Sequence, residues 1–303
     1  MLEFLSNPQW AGIAGIVAII GLFLQYGRKK IRSPARENEK QFNYEVNDLA
    51  ERFLLVYKAH GIEHAQIPKF VKKAGELSLA DLSSNSALLK ALDENLLSDT
   101  CTHFGIQREW LDGGNVPIYP RIYFDKQLRE YIHFLSRLKK EHSQVNGFAI
   151  KCPEDRLQKD EPDYDIALLF RGNIENWNSL DEEPIWRYYP IADYNFWGYQ
   201  RTRLQLKAMI HIAFLFGIFI HGYQMTQEEI RRIREGKNFP EPLLENRSYA
   251  AWHPDEYIFC EIGKFQPYDI EETQHVSEMI HRDFYKLLEK SGGIDQDRLQ
   301  LTT

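Results

Sequence analysis

Cysteine is scarce in this sequence of 303 residues, and an excess of positive charge is absent. The three cysteines, Cys101, Cys152 and Cys260, stand far apart and form no CxxC pair. Such spacing argues against a disulfide framework and is typical of reduced thiols. The formal net charge is −7, so the chain as a whole has no general attraction for polyanions. A nucleic-acid surface would therefore have to be a local patch.

Motifs of the common enzyme classes are also missing. The sequence contains no GxSxG, no Walker A motif and no HExxH. Six carboxylates stand between residues 154 and 165, but a metal-dependent nuclease would need a lysine on the strand that follows, and DIALLF has none. A solvated acidic loop is the simpler interpretation. We therefore predict no catalytic residue, no metal site and no cofactor.

One long apolar run stands near the N-terminus. Residues 10–27 carry no charge and are bracketed by Trp10 and Tyr26, as expected for the aromatic belts of a membrane span. Basic residues follow at once: Arg28, Lys29, Lys30, Arg32 and Arg36. The positive-inside rule then predicts a single-pass inner-membrane protein, with its N-terminus outside and its later domains in the cytoplasm. A cleaved signal peptide is the alternative, but it carries its positive charge before the apolar run.

Composition and periodicity divide the chain into six segments. They are predicted to be a short extracytoplasmic end, a transmembrane helix, a basic juxtamembrane tether, a small all-α domain, a mixed α/β domain and a flexible tail. Their predicted bounds are, in order, 1–9, 10–27, 28–43, 44–115, 117–290 and 291–303.

The segment 44–115 is predicted to form four or five short helices, since apolar residues recur at helical spacing between turn signals. Its last long helix ends at Gly105, and a Trp-Leu pair and two glycines follow. The stretch 97–113 resembles the end of the Cro/C1-type (XRE-like) helix-turn-helix family, and Gln66 also stands in a matching place. The resemblance implies a helix-turn-helix-like DNA-binding fold, although residues 74–90 lack the usual recognition-helix pattern.

The charge of this helical segment disfavours DNA as its partner. Residues 47–115 contain seven basic and ten acidic side chains. Only Lys69, Lys72 and Lys73 cluster, at helical spacing, and a solvated helix face explains them as well as a DNA-backbone contact does. We therefore expect the segment to contact a protein partner or a second copy of the chain.

From Pro117 onward, strand-like runs alternate with amphipathic helices, which predicts a mixed α/β (α+β), sensor-like domain. The apolar helix before Gly217 is too short for a second membrane span and predicts a buried core helix. Thr226 and Glu229 predict a capping box at the start of the next helix. Strands are predicted at 117–124, 146–152, 164–174, 185–194, 218–223 and 257–265.

Aromatic and basic residues concentrate between 177 and 203 and again near 252. Aromatic rings beside arginines are typical of a pocket for a planar anion such as a nucleotide. They are equally typical of core packing and a protein interface, which is the alternative interpretation. The candidate ligand or partner surface comprises Trp186, Arg187, Trp197, Arg201, Arg203, Trp252 and His253.

Together these patterns predict a membrane-anchored bacterial regulatory or sensor protein without enzymatic activity, whose helix-turn-helix-like module contacts another protein. One alternative is a membrane-bound transcription regulator that binds DNA. The other is a membrane-localised effector enzyme of a defence system, which requires a pocket with converging acid, base or metal groups.

Overall fold

The computed structural model places a helical module first and a four-stranded sheet with its helices second. It describes residues 49–71, 77–152, 157, 165–174, 184–245, 252–258, 269–292, 294, 295 and 298. All of them belong to one compact unit, residues 46–303. The boundary between 44–115 and 117–290 stays a prediction.

No helix within the described ranges is both long enough and apolar enough to cross a bilayer. The longest, Ile270–Ser291, has 22 residues but carries charged side chains along its length. The helix Gln200–Leu215, most of whose side chains are buried, has 16 residues and so spans about 24 Å, against roughly 30 Å of bilayer core.

This finding corrects the membrane part of the prediction, namely the fold class with a transmembrane helix, the membrane-anchored description and the single-pass localisation. The apolar run 10–27 and the residues that bracket it lie outside the described part of the chain. These predicted anchor residues are Trp10, Tyr26, Arg28, Lys29, Lys30 and Arg32. The mixed α/β architecture predicted for the later part of the chain is observed.

The helical module packs around a small aromatic core. The ring of Tyr57 makes edge contacts with Phe70 and Phe104, at centroid distances of 5.7 and 5.2 Å. Gly105 closes the fourth helix in the left-handed conformation, φ 68°, as its position after the last apolar residue predicts. The helices are α1 (Leu49–Ala59), α2 (Ile67–Phe70), α3 (Asn85–Ala91), α4 (Glu94–Phe104) and α5 (Arg108–Leu111).

The α/β part contains one mixed sheet in the order β3-β2-β1-β4. The pairs β1–β2 and β2–β3 are antiparallel, whereas β4 is parallel to β1, so the helix between β3 and β4 crosses the sheet. The strands are β1 (Val145–Lys151), β2 (Ala167–Asn173), β3 (Trp186–Pro190) and β4 (Ile220–Gln224). The helices are α6 (Leu128–Glu141), α7 (Gln200–Leu215), α8 (Gln227–Arg234), α9 (Glu241–Leu244) and α10 (Ile270–Ser291).

Both faces of the sheet are covered. On one face, α6, α7 and α10 bury a large apolar core that includes Leu135, Phe170, Leu206 and Ile280. On the other, α8 packs on β1 and β2, and the helical module reaches β3. There the ring of His60 lies 6.0 Å from that of Tyr188. Burial on both faces explains why the central strand β2 begins with an unbroken apolar run, residues 167–170.

The predicted strand at 117–124 is wrong. The segment bends at Ile118 and Tyr119 and forms one isolated bridge, between Ile122 and Ile191. Pro117 and Pro120 have no N–H to donate to a ladder, so β-branched and aromatic composition alone did not produce a strand. The predicted strand at 257–265 lies outside the described residues from Phe259 onward.

Candidate functional site

The structure does not gather the seven candidate residues into one surface. Trp197, Arg203 and Trp252 are buried on the face that α7 and α10 cover, Trp186 is buried on β3 beside half-buried Arg187, and Arg201 and His253 are exposed. The buried residues thus belong to two different parts of the interior, and the exposed ones to the surface.

The first group belongs to a buried ion cluster that ties α7 to α10. Arg203 donates to both carboxylate oxygens of Glu272, at 3.0 and 2.7 Å, and Lys207 donates at 3.1 Å. Burial alone would raise the pKa of Glu272, but these hydrogen bonds and charges outweigh it and lower the pKa to about 2. Burial lowers the pKa of Lys207 despite its carboxylate partner.

Aromatic rings complete this interior cluster. Tyr257 contacts Trp197 and Trp252 edge-on, at centroid distances of 5.0 and 5.9 Å. The indole N–H of Trp252 donates to the carbonyl oxygens of Ala149 and Tyr223. The polar groups of Arg203 and Trp252 are thus hydrogen-bonded inside the protein, and Trp197 is buried in the same interior.

The second group lies where the helical module meets β3. The guanidinium of Arg171 lies 4.1 Å from the ring centre of buried Trp186 and 5.1 Å from that of Phe148. Arg187 lies so close to the end of α4 that a Cβ added at Gly105 would be 2.7 Å from its Nε. These residues pack the module against the sheet.

Arg201 is the predicted residue that lines an open cavity. The cavity has a volume of about 690 Å³ and lies between the first turns of α6 and α7 and the side of α10. We call it the α6/α7/α10 groove. Its apolar lining is Leu128, Leu204, Met279 and Phe284, and its charged lining is Lys126, Arg129, Glu130 and Arg201.

The rim of the groove is held in a fixed conformation. Lys126 has a φ of 57°, an unusual value for a residue with a side chain. Its N–H donates to Oε1 of Gln205 at 2.9 Å, and Nε2 of Gln205 donates to the carbonyl of Phe124 at 2.9 Å. The carboxylate of Asp193 accepts the N–H groups of Phe124 and Asp125. The surrounding fold therefore imposes the left-handed turn at Lys126.

The groove has an excess of positive charge. Three of its four charged lining residues are basic. Among the described residues no ion pair within 4 Å is found for Arg129 or Arg201, although the charge of Arg129 adds to that of Arg282 in lowering the pKa of exposed Asp283. Lys126 pairs with Asp125 at 3.4 Å, but both side chains are well exposed, so that pair is weak. The guanidinium of Arg129 lies 5.8 Å from the ring centre of Phe284, so it borders the apolar floor.

The predicted DNA-contact residues are only partly described. Lys69 is exposed on α2, whereas Lys72 and Lys73 lie outside the described residues. Two further cations of the module are engaged internally. Arg52 is buried and donates to the carbonyl of Trp110, and Arg108 donates to Glu94 and Asp112 at 2.5–2.9 Å.

Within the range 74–90 the structure describes a short 3-10 turn, Asp81–Ser83, and most of α3, whereas residues 72–76 lie outside the described part of the chain. Oδ2 of Asp81 accepts the hydroxyl and the N–H of Ser78, which lowers the pKa of this carboxyl. The resemblance to a helix-turn-helix domain stays a prediction.

Within the described ranges, no group of three or more His, Cys, Asp or Glu residues could hold a metal ion. Most of the acidic loop at 154–165 lies outside those ranges. Its last member, Asp165, is buried and paired with Arg234 of α8. Burial lowers the pKa of His211 to about 4, so this core histidine is neutral near pH 7.

Sequence reasoning found only one residue of the groove, Arg201. The others come from three separate stretches, 126–130, 200–205 and 279–284, and none forms a recognisable motif. No periodicity indicates that these stretches meet, and the positive φ of Lys126 has no sequence signal, since it depends on Gln205 and Asp193.

Comparison with known proteins assigns no family to the chain. No protein-family model matches it, nor does any curated protein or solved structure.

Proposed function

We propose that this chain is a non-enzymatic regulatory protein of the sensor type, and that it binds a small organic ligand in the α6/α7/α10 groove. The groove itself carries the proposal. Its volume of about 690 Å³ falls within the usual range of small-molecule sites, roughly 300–1,000 Å³, and it combines an apolar floor with a few charged groups. Its rim is fixed in advance by Gln205 and Asp193, which lowers the entropy cost of binding.

The chemistry of the lining supports binding without catalysis. None of the described lining residues is a histidine, cysteine, serine, threonine or aspartate. Glu130 is the one carboxylate among them, so the groove offers no nucleophile next to a base and no pair of carboxylates. A defence enzyme would need such a constellation, and no observation favours that alternative.

Ligand binding can be tested on the full chain by isothermal titration calorimetry against a panel of small organic acids, bases and neutral metabolites. We expect at least one compound to bind, and Leu204→Trp to abolish that binding because the indole fills the groove. Leu89→Trp is the matched control, since Leu89 is exposed on α3. A panel without any binder, or a ligand that binds Leu204→Trp as tightly as the unchanged chain, contradicts the proposal.

We also propose that the helical module contacts a protein and not DNA. Its surface exposes Leu79 and Leu89, which are 62% and 43% accessible, beside the acidic turn at Asp81. An apolar patch with acidic neighbours suits a basic protein surface better than a phosphate backbone. Arg52 donates to the carbonyl of Trp110, and Arg108 pairs with Glu94 and Asp112. Because these two cations already have partners within the module, this also favours a protein over DNA.

The DNA alternative is tested by titrating the full chain against mixed genomic fragments at low and moderate salt. We expect no binding at either salt concentration. Binding with a steep salt dependence would instead favour a transcription regulator, and Lys69, Lys72 and Lys73 would then be the first residues to change.

The protein contact itself is tested by photocrosslinking in the cells that produce the chain. A photoreactive amino acid at Leu79 should give a discrete protein adduct, and the same group at exposed His133 of α6 should not. Failure to form an adduct at Leu79 contradicts a contact through this patch.

A further inference from the structure

We infer that the ligand of the α6/α7/α10 groove is an amphipathic anion, with an aliphatic body and a single carboxylate head. This inference rests on the proposed function and specifies its ligand. It follows from how the lining divides into an apolar floor and a basic rim.

The floor suits an aliphatic body. Leu128, Leu204, Met279 and Phe284 are all half-buried, so each still presents apolar surface to the groove. Methionine is flexible and fills irregular gaps, so a floor that contains Met279 can adapt to a flexible chain. Each methylene that becomes buried there should tighten binding by about fourfold.

A nucleotide fits the lining less well than an aliphatic carboxylate does. A purine or pyrimidine ring needs an aromatic face to stack on and amide groups to read its edge. Phe284 is the one aromatic side chain among the described lining residues, and Arg129 already borders its ring at 5.8 Å. The amide of Gln205 is occupied on both sides, by the N–H of Lys126 and the carbonyl of Phe124. The other two amides of the lining, Gln127 and Gln200, are exposed at the rim and not next to the ring of Phe284 on the floor.

The rim suits one acidic head. Lys126, Arg129 and Arg201 outnumber Glu130 by two charges, and the pair of Lys126 with Asp125 offsets one of them, which leaves one positive charge for a ligand of charge −1. Arginine offers a planar fork of donors that matches a carboxylate, and such charge-assisted bonds are stronger than neutral ones. The inference therefore assigns the carboxylate to Arg129 and Arg201, with Lys126 as the neighbouring cation.

The test is calorimetric titration of the full chain with three probes: decanoate below its critical micelle concentration, decanol and adenosine monophosphate. Decanoate is expected to bind at least tenfold more tightly than decanol, because the two differ in the charged head, and adenosine monophosphate is expected not to bind. Hexanoate, with four fewer methylenes, should bind much more weakly than decanoate.

Variants then locate the head and the body. Arg129→Gln and Arg201→Gln should each weaken decanoate binding about tenfold and leave decanol binding unchanged. Arg137→Gln is the matched control, since Arg137 is an exposed arginine on the same helix α6 but not in the groove lining, and it should change neither affinity. Leu204→Trp should abolish binding of decanoate.

The outcomes separate this inference from the proposed function. If adenosine monophosphate or decanol binds as well as decanoate and Leu204→Trp abolishes that binding, the groove is a ligand site and the amphipathic-anion inference is overturned. If decanoate binds equally to Leu204→Trp and to the unchanged chain, its site lies elsewhere and the inference also fails. If no probe binds, the inference fails while the wider panel still decides the proposed function.

Discussion

Glu272 shows at the scale of a single residue why a charged side chain can be essential inside a core. Its carboxylate is the common acceptor for Arg203 and Lys207, and all three side chains are at most 9% exposed. The two cations would be left without their acceptor if it were removed, and uncompensated buried charge is costly. Arg203, which belonged to the candidate ligand surface in the sequence, here links α7 to α10.

We predict that Glu272→Ala lowers the free energy of unfolding by about 3–5 kcal/mol, since it breaks both buried pairs at once. Glu278→Ala is the control, because Glu278 is exposed on the same helix α10. Urea denaturation followed by circular dichroism measures both. Equal free energies of unfolding for the two variants would mean that the buried ion cluster does not stabilise the fold.

Buried histidines should make the free energy of unfolding depend on pH. Burial lowers the pKa of His60 and of His211 to about 4, whereas histidine in an unfolded chain titrates near 6.5. Between these two values the unfolded chain binds protons that the folded chain does not. The free energy of unfolding therefore falls as the pH is lowered from 6.5 to 4, by up to about 1.4 kcal/mol per pH unit for each histidine.

The measurement is urea denaturation at pH 7 and pH 5. Burial also lowers the pKa of His221, which acts in the same direction. His211→Leu removes one of these groups, so its loss of stability between these pH values should be smaller than that of the unchanged chain. His133→Leu, at an exposed position on α6, should leave the loss as it is. Glu272 does not interfere, because a pKa lowered to about 2 affects stability only below pH 4.5. An identical pH dependence in His211→Leu would contradict the prediction.

At the level of the secondary-structure elements, two helix-ending glycines allow the cost of backbone strain to be distinguished from the cost of a close steric contact. Gly61 and Gly105 both have positive φ, 75° and 68°. A Cβ at Gly61 would meet nothing within 4 Å, whereas one at Gly105 would lie 2.7 Å from Nε of Arg187 on β3. The two positions thus share the strain of a left-handed residue, and only Gly105 adds a close contact between α4 and the sheet.

Gly61→Ala is predicted to lower the free energy of unfolding by about 1 kcal/mol, the usual cost of a side chain in this conformation. Gly105→Ala should cost about 1 kcal/mol more, because Arg187 must move. Urea denaturation of both variants gives the difference. If Gly105→Ala is the less destabilising of the two, α4 and β3 are not tightly packed at this point.

Local patterns predicted several elements correctly, and the reason is that their signals act within a few residues. The capping box of Thr226 and Glu229 is present at the start of α8. The apolar helix before Gly217 is the buried α7, whose second half packs on the sheet and on α10. The stretch 117–124 failed because its composition resembles a strand but its prolines break the ladder.

At the scale of the whole molecule, Phe239 joins the helical module to the α/β part. Its fully buried ring contacts Trp110 and His60 of the module edge-on, at centroid distances of 5.7 and 5.6 Å, and Tyr119 at 6.1 Å. A shared interior of this kind couples the two parts thermodynamically, since neither can unfold without exposing apolar surface of the other.

We therefore predict that the module and the sheet unfold together. Hydrogen exchange in increasing urea should give the same opening free energy for amides of α4 and of β2. Phe239→Ala should lower both by about 3–5 kcal/mol, the usual cost of removing a buried phenylalanine ring. Phe219→Ala is the control, because Phe219 is 56% exposed. Separate transitions for α4 and β2 would instead favour the two independent domains predicted at 44–115 and 117–290.

Most of the helix and strand order follows from local sequence, since hydrophobic period, caps and helix-ending glycines act over short distances. The absence of a metal site and of cysteine-based chemistry stays a prediction from the sequence. Long-range packing, in contrast, sets which aromatic and basic residues are core and which are accessible, because Arg203 and Arg201 differ by two positions in sequence and lie on different sides of α7. The groove likewise forms where three stretches that are distant in sequence meet at the first turns of α6 and α7. Long-range packing creates it, and no local sequence signal indicates it.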